Sequence, residues 1–356
     1  MDLNFSINKR ESLISRSECN IMRGLAILVI ITNNFGHLVN GVHPDNEFTY
    51  DYANVSGFLD SLLHFNSLLP LELLSFYSPF GVMIFIFLSG YGLTLKYEYG
   101  NCQSVSSLQF VKEHYFKLFS MQAKGLAIFL VFLLIYKAND IVYFWTFVKQ
   151  LFMIENLSPR HKIMPGPYWF FGMIMEVYII FRLIFYKRSS WLMMSIVALS
   201  LFIMALLDPV GRLLYYLRIN FCLALLPFSL GVLTARYWGF YSFLFKYKML
   251  VILFFIVSFL LLTLCKFNFY LWLFMPIFVV TTSVTLVLLL SRVYFLSLLL
   301  GWVGSLSGVL FVIHPSLRLI LIERANESGH SYAVVFIYLF LTIMLSVILK
   351  PIFVKK

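Results

Sequence analysis

Charge is what this 356-residue chain has least of: Asp, Glu, Lys and Arg together make up 12% of it, about half the share a water-soluble globular domain carries. That shortage excludes a soluble enzyme, and the 61% of hydrophobic residues with a mean hydropathy of +0.88 points to a polytopic integral membrane protein. Cysteine is scarce too. Cys19, Cys102, Cys222 and Cys265 show no CxxC spacing, which argues against a disulfide framework and against a zinc centre, so no metal is expected. No polar stretch is long enough for a soluble module, and one membrane domain is expected over residues 1–356. No cleavable leader is expected either, because about twenty polar residues precede the first apolar run and no small-residue cleavage site follows it. The net charge of +11 comes without a basic-aromatic module, so nucleic acid is not an expected partner. The lipid bilayer is, through its anionic headgroups.

What the chain has in abundance is apolar runs of about twenty residues, the length that crosses a bilayer as a helix. Ten are predicted, roughly at Ile21–Val39, Pro79–Tyr97, Phe119–Tyr136, Tyr168–Tyr186, Trp191–Leu207, Ile219–Ala235, Met249–Cys265, Tyr270–Leu290, Leu298–Leu321 and Tyr332–Leu349. The expected fold is therefore all-α, a multi-pass membrane bundle. The shorter run Ile141–Ile154, interrupted by Lys149 and rich in aromatics, suits an interfacial or re-entrant helix. With ten spans and the N-terminus inside, 18 of the 27 Lys and Arg residues fall on the inner side. This asymmetry predicts both termini in the cytoplasm. The first external loop, 40–78, has no Lys or Arg but carries Asp45, Glu47, Asp51, Asp60 and Glu72. An external basic group, Lys137, Lys149, Arg160 and Lys162, has no topological explanation. Asn-x-Ser triplets at Asn54, Asn156 and Asn326 fall outside, but Asn4 matches too and falls inside, so they carry no weight.

Polar groups inside such runs are costly and mark function by default. The first span holds Arg23 at its start and Asn33, Asn34 and His37 further along; Asn34 and His37, three apart, share a face. A plainer alternative has Arg23 snorkelling to headgroups and His37 at the interface. The second span places Ser89, Gly90, Tyr91 and Gly92 in its inner half, where small residues also permit close helix packing. Lys112, His114 and Lys117 form a basic cluster just beyond it, suited to a solvated loop or to a nucleotide phosphate. Tyr168 and Trp169 sit in an aromatic belt with Glu176 about two turns deeper, an intramembrane carboxylate that could equally pair with a cation for helix docking. A late run carries Ser305, Ser307 and His314, with Pro315 expected to break the helix ladder beside the histidine.

Taken in order, Arg-Gly on the first span, Phe-Leu-Ser-Gly-Tyr at Phe87 to Tyr91, the basic-aromatic loop Lys112 to Phe119, Tyr178 nine positions after Trp169, and Gly304-x-x-Ser with Ile-His-Pro ending at Pro315 resemble the membrane-bound acyltransferase family 3. These are ten-span O-acyltransferases that modify bacterial surface glycans. The resemblance implies a multi-pass protein of the inner membrane that moves an acyl group, usually acetyl, from acetyl-CoA or another acyl-CoA to a carbohydrate hydroxyl. No permanently bound cofactor is implied. In the family a catalytic histidine follows the first-span arginine after ten residues; counted from Arg23, that place is Asn34, with Asn33 beside it and His37 one turn on. Lys117 and His114 stand where arginines are frequent, and the carboxylate expected after Trp169 falls one position late, at Glu176.

A sugar hydroxyl near neutral pH is a weak nucleophile, so its attack on a thioester needs a base within hydrogen-bond reach, and imidazole suits that role. The expected catalytic set is His37 as base, Asn34 to orient it or polarise the thioester oxygen, and Arg23 and Glu176. Arg23, Lys112, His114, Lys117, Ser89 and Tyr91 are the expected donor-side residues, and Asn33, Tyr168, Trp169 and His314 the acceptor-side ones. A protein of the same architecture that exports or binds a polysaccharide or a lipid-linked saccharide without acyl transfer is the alternative. A conventional secondary transporter is disfavoured by the lack of an inverted repeat.

Overall fold

The computed structural model describes residues 14–43, 45–77, 80–100, 102, 104–136, 144–158, 165–241 and 247–353, and among them every regular element is helical. The first half contains α1 (Arg16–Gly36), α2 (Tyr52–Leu63), α3 (Leu69–Tyr77), α4 (Phe80–Thr94), α5 (Ser107–Ile135), α6 (Phe144–Leu151) and α7 (Trp169–Ile180). The second contains α8 (Ser190–Ala205), α9 (Arg212–Ile219), α10 (Phe221–Arg236), the single turn α11 (Trp238–Tyr241), α12 (Lys248–Cys265), α13 (Phe269–Leu290), α14 (Tyr294–Glu327) and α15 (Ser331–Phe353). Widened π turns carry α4 on through Leu95–Tyr99 and α7 on through Phe181–Phe185.

All ten predicted runs are helical, but they do not make ten equal spans. Eight helical stretches are long and apolar enough to cross a membrane, and the bent pair α9 and α10, at 45°, makes a ninth if it counts as one. The run predicted at Trp191–Leu207 becomes α8, only 16 residues, or about 24 Å at 1.5 Å per residue. The predicted Ile141–Ile154 stretch is represented by α6, eight residues long and about 12 Å. Its first three residues lie outside the described residues, as do Asn4, Pro79, Lys137, Arg160 and Lys162. The region 40–78 folds largely into α2 and α3. Pro315 does not interrupt α14, which runs on from Tyr294 to Glu327.

Local signals explain the helix starts. Ser15 and Glu18 form a reciprocal capping box at α1, the Ser15 hydroxyl accepting from Glu18 N (3.2 Å) and the Glu18 carboxylate from Ser15 N (2.8 Å). Asn268 caps α13 by accepting from Tyr270 N and Leu271 N. The main core joins α1, α4, α7, α10 and α13, and a second cluster joins α1, α14 and α15. In lipid no hydrophobic force drives helices together, so small residues and close backbone contact hold such bundles. Here α1 meets α14 at Gly24 and Gly304: a Cβ on Gly24 would lie 2.0 Å from Leu300 O, and one on Gly304 1.8 Å from Asn20 O. Gly90 and Gly231 make the same kind of joint between α4 and α10, each within 2.2 Å of the opposite backbone carbonyl if given a Cβ.

Candidate active site

Gly81 brings α4 close to α1 as well, where a Cβ on it would lie 2.8 Å from Ala26 O, and a cavity of about 310 Å³ opens beside the last turns of α1. From α1 it is lined by Ile30, Asn33, Asn34 and His37; from the following loop by Asp45, Glu47 and Phe48; from α7 and its approach by Trp169; from α9 by Tyr215; from α14 by Phe311 and Arg318. His37 is the residue on which α1 ends. Its ring Nδ1 lies 2.6 Å from Asn33 O. A carbonyl oxygen only accepts, so Nδ1 carries the proton and donates it, and the lone pair of the neutral ring resides on Nε2. Arg318 donates from Nη1 to Asn34 O (2.9 Å) and Asn34 Oδ1 (3.3 Å), while Asn34 Nδ2 donates to Ile30 O. Asn33 Oδ1, on the cavity wall, is a buried acceptor with no partner among the described residues.

The loop across the mouth is fastened from several sides. Lys266 pairs with Asp45, and its carbonyl accepts from Tyr50 OH at 3.1 Å. Arg218 donates to Glu47 O at 2.7 Å and stacks 4.0 Å over the Trp272 ring. Phe48 packs edge-on against Trp169 at 4.8 Å. His43 donates from its backbone N–H to the buried Glu72 carboxylate. Within this loop the Glu47 carboxyl is pushed up to about 7, chiefly by burial and further by Asp45, with Arg218 and Lys266 pulling it the other way.

A carboxyl raised from its ordinary 4.5 to about 7 is protonated in the folded protein over a range where the unfolded chain has already lost the proton. It therefore subtracts stability as pH rises through that window. Glu47→Gln is expected to raise the unfolding temperature at pH 8 and leave it unchanged at pH 4, read by tryptophan fluorescence during heating in detergent. A gain of equal size at both pH values would show that burial does not hold the Glu47 proton.

Of the residues singled out from the sequence, His37, Asn34, Asn33 and Trp169 come together around this cavity. Arg23 does not line it. It sits fourteen residues before His37 on α1, about 21 Å along the axis, with Nη1 donating to Asn20 Oδ1 at 3.0 Å. There it belongs to a second cluster. Tyr178 is close enough to Ser89 and Arg23 for both to act on its phenol, and the His114 ring stands edge-on to Tyr178 (5.1 Å) and stacked on Phe110 (4.2 Å). His114 Nδ1 donates to Phe110 O, and Lys96 lies over the neighbouring Tyr97 ring. Lys112 and Lys117 are exposed on the same stretch of α5. The Tyr91 hydroxyl both accepts from Ile14 N and donates to Ile14 O, holding the start of the described chain to α4.

Three residues face packing rather than the cavity. Tyr168 donates to Val312 O at 2.7 Å, joining the approach to α7 with α14. His314 is fully buried, its Nδ1 3.2 Å from Leu310 O. Glu176 accepts from Phe221 N at 2.9 Å and so caps α10. Sequence reasoning missed Arg318 and the special position of Glu47. The signal for Arg318 was its place four residues after His314, one helical turn on; nothing local marks Glu47 among its acidic neighbours.

The arrangement combines an imidazole with a defined basic nitrogen, a guanidinium and a carboxyl near neutrality in one water-accessible pocket, which suits proton removal from a hydroxyl beside a stabilised oxyanion. No curated protein and no solved structure matches the chain. The acyltransferase domain model of acyltransferase family 3 matches residues 16–350, nearly the full length, and with its apolar helices the chain belongs to that family as an integral membrane acyltransferase.

Proposed function

We propose that the protein transfers an acyl group, acetyl in the simplest case, from acyl-CoA to a hydroxyl of a cell-surface or lipid-linked carbohydrate. The observation that carries this reading is the His37 imidazole, its Nδ1–H donated to Asn33 O, in one cavity with Arg318 and Asn34. In the proposed reaction His37 Nε2 takes the proton of the sugar hydroxyl as its oxygen bonds to the thioester carbon. The oxyanion that forms is stabilised by the Arg318 guanidinium, which Asn34 orients. Collapse breaks the carbon–sulfur bond, releasing the sugar ester and CoA thiolate, and the imidazolium returns its proton to the sulfur. Glu47, as a carboxylate, favours the transient imidazolium.

The donor's nucleotide end is assigned to the Arg23 cluster, with Lys96, Lys112 and Lys117 supplying positive charge for its phosphates and the His114 ring alongside them. Basic residues favour the cytoplasm for that end of the bundle, in the inner membrane of the cell, and the proposal has the His37 cavity open on the opposite face. The test is direct. Purified protein in vesicles is given acetyl-CoA labelled in the acetyl group together with a glycan fraction; the expected result is alkali-labile label on sugar. Saccharide movement across the vesicle membrane with no ester formed would replace this reading with export.

A further inference from the structure

The hairpin of α2 and α3 ends in a tip that the bundle does not cover. From Ser61 to Leu71 the chain carries no Asp, Glu, Lys or Arg, although Asp60 and Glu72 flank it on either side. Leu63 is 75% exposed and Phe65 82%, and Leu62 beside them is exposed as well. Exposed apolar side chains scattered singly need no explanation, whereas contiguous ones mark a contact surface.

Backbone geometry singles out Phe65. The end of α2 is closed by Asn66 N donating to Ser61 O at 3.0 Å, with His64 as the capping residue and Phe65 next, at φ +47°. That left-handed position after a helix is ordinarily a glycine's, because a side chain is disfavoured there and a bulky one most of all. Phe65 therefore weakens the turn it closes and returns no packing inside the protein, so its ring calls for a partner outside the chain.

The neighbouring span shows what that partner is. Tyr332, the second residue of α15, donates its hydroxyl to Ser67 O at 2.6 Å. The tip is thereby fixed beside the first turn of a helix of 23 residues, about 34 Å long against a hydrocarbon thickness of roughly 30 Å. Tyrosine at the end of a span belongs to the headgroup level. Phe336, one turn further in and about 6 Å along the axis, is 71% exposed on the outer surface of that span. The tip is thus level with the boundary between headgroups and acyl chains, and continuous with a surface that faces lipid.

Behind the tip, α3 holds the loop that borders the His37 cavity. The Glu72 carboxylate accepts from His43 N at 3.0 Å, and Ser75 Oγ donates to His43 O at 2.9 Å and accepts from Asp45 N at 3.4 Å. Asp45 lines the cavity. We propose that the α2–α3 tip is an interfacial membrane anchor: Leu62, Leu63 and Phe65 enter the headgroup–acyl boundary of the leaflet on the His37 side and fix the cavity's loop at that depth. The anchor is a contact with lipid and does not depend on the reaction at His37.

The experiment uses the full chain with its four cysteines replaced by alanine and Phe65→Cys labelled with an environment-sensitive NBD dye, in phospholipid nanodiscs that hold one copy each. Emission is expected to shift to the blue relative to the same dye at Ser56→Cys, on the exposed middle of α2. It is also expected to be lost to lipids spin-labelled near the headgroup more than to aqueous iodide. With the dye moved to Leu63→Cys, adding Phe65→Gly is expected to lower the ratio of lipid quenching to iodide quenching by about tenfold, as the loss of one buried phenylalanine from a partition equilibrium gives. The unfolding temperature in detergent is expected to hold or rise with Phe65→Gly, because glycine suits the turn; a ring that served only the fold would lower it and leave the quenching unchanged. Should the cysteine-free chain not fold, the native chain in vesicles containing a phospholipid with a diazirine near its headgroup is expected to take label on the peptide spanning 61–71, and label everywhere but there would overturn the proposal. Emission at position 65 that matches position 56, or blue emission that lipid probes do not reach, overturns it as well. Blue emission found only in discs with two copies would assign the tip to a second copy of this chain instead of to lipid.

Discussion

Replacing His37 by alanine is expected to lower acyl transfer by about 10²-fold or more, the lower end of what a positioned general base contributes, with protein yield and elution in detergent unchanged. The imidazole stands at the end of α1, partly exposed to the cavity, and its Nδ1 bond is to the backbone of its own helix. Removing it deletes the proposed proton acceptor from the cavity wall. The measurement is the initial rate of labelled acetyl transfer at saturating acceptor. A His37→Ala protein working within threefold of the unaltered one would remove the imidazole from the reaction and leave Glu47 as the titratable group of the cavity placed to act in its stead.

Gly304→Val is expected to abolish the folded protein. A Cβ at this position falls 1.8 Å from Asn20 O and 3.0 Å from Gly24 N, both backbone atoms that cannot rotate away. The helices would have to part along the joint that carries Arg23 at one end and His37 at the other. The cost lies at or above the roughly 3 kcal/mol that bounds ordinary overpacking. Size-exclusion chromatography of a fluorescent fusion reads the result, a shift from a single peak to aggregate. Gly301→Val is the matched control on the same helix, for a Cβ there meets nothing within 4 Å and a normal peak is expected. A normal peak for both would show that α1 and α14 are not held by this contact.

Helix positions were legible in the chain because each apolar run is long and bounded by polar residues, and such runs have few alternatives in lipid. The number of full crossings was not. The Trp191–Leu207 run is short from the outset and α8 stops at Ala205, where Leu206 N and Leu207 N turn back to Ile203 O and Met204 O, and the Ile219 run begins as a separate helix because Asn220 takes an extended backbone. Spacing on α1 was enough to group Asn34 with His37. The partner that completes the cavity, Arg318, lies 284 positions from Asn34, a distance no local pattern bridges. Arg23 and His37 were expected to act together because they share a helix, but the fourteen positions between them set them about 21 Å apart along its axis. Tyr168 and His314 carry polar atoms that local reading assigns to chemistry, whereas the Tyr168 hydroxyl joins the approach to α7 with α14 and His314 Nδ1 bonds to Leu310 O of its own helix.

The short reach of α8 has an effect on the surrounding lipid. Its 16 residues cover about 24 Å against a hydrocarbon thickness of roughly 30 Å, and Trp191, Leu199 and Phe202 along it are exposed. Lipid beside a helix shorter than the bilayer relieves the mismatch by thinning, so phospholipid headgroups are expected to sit deeper along this flank than beside α15, which has 23 residues. A polar head diffusing in the leaflet then has less oil to cross beside α8.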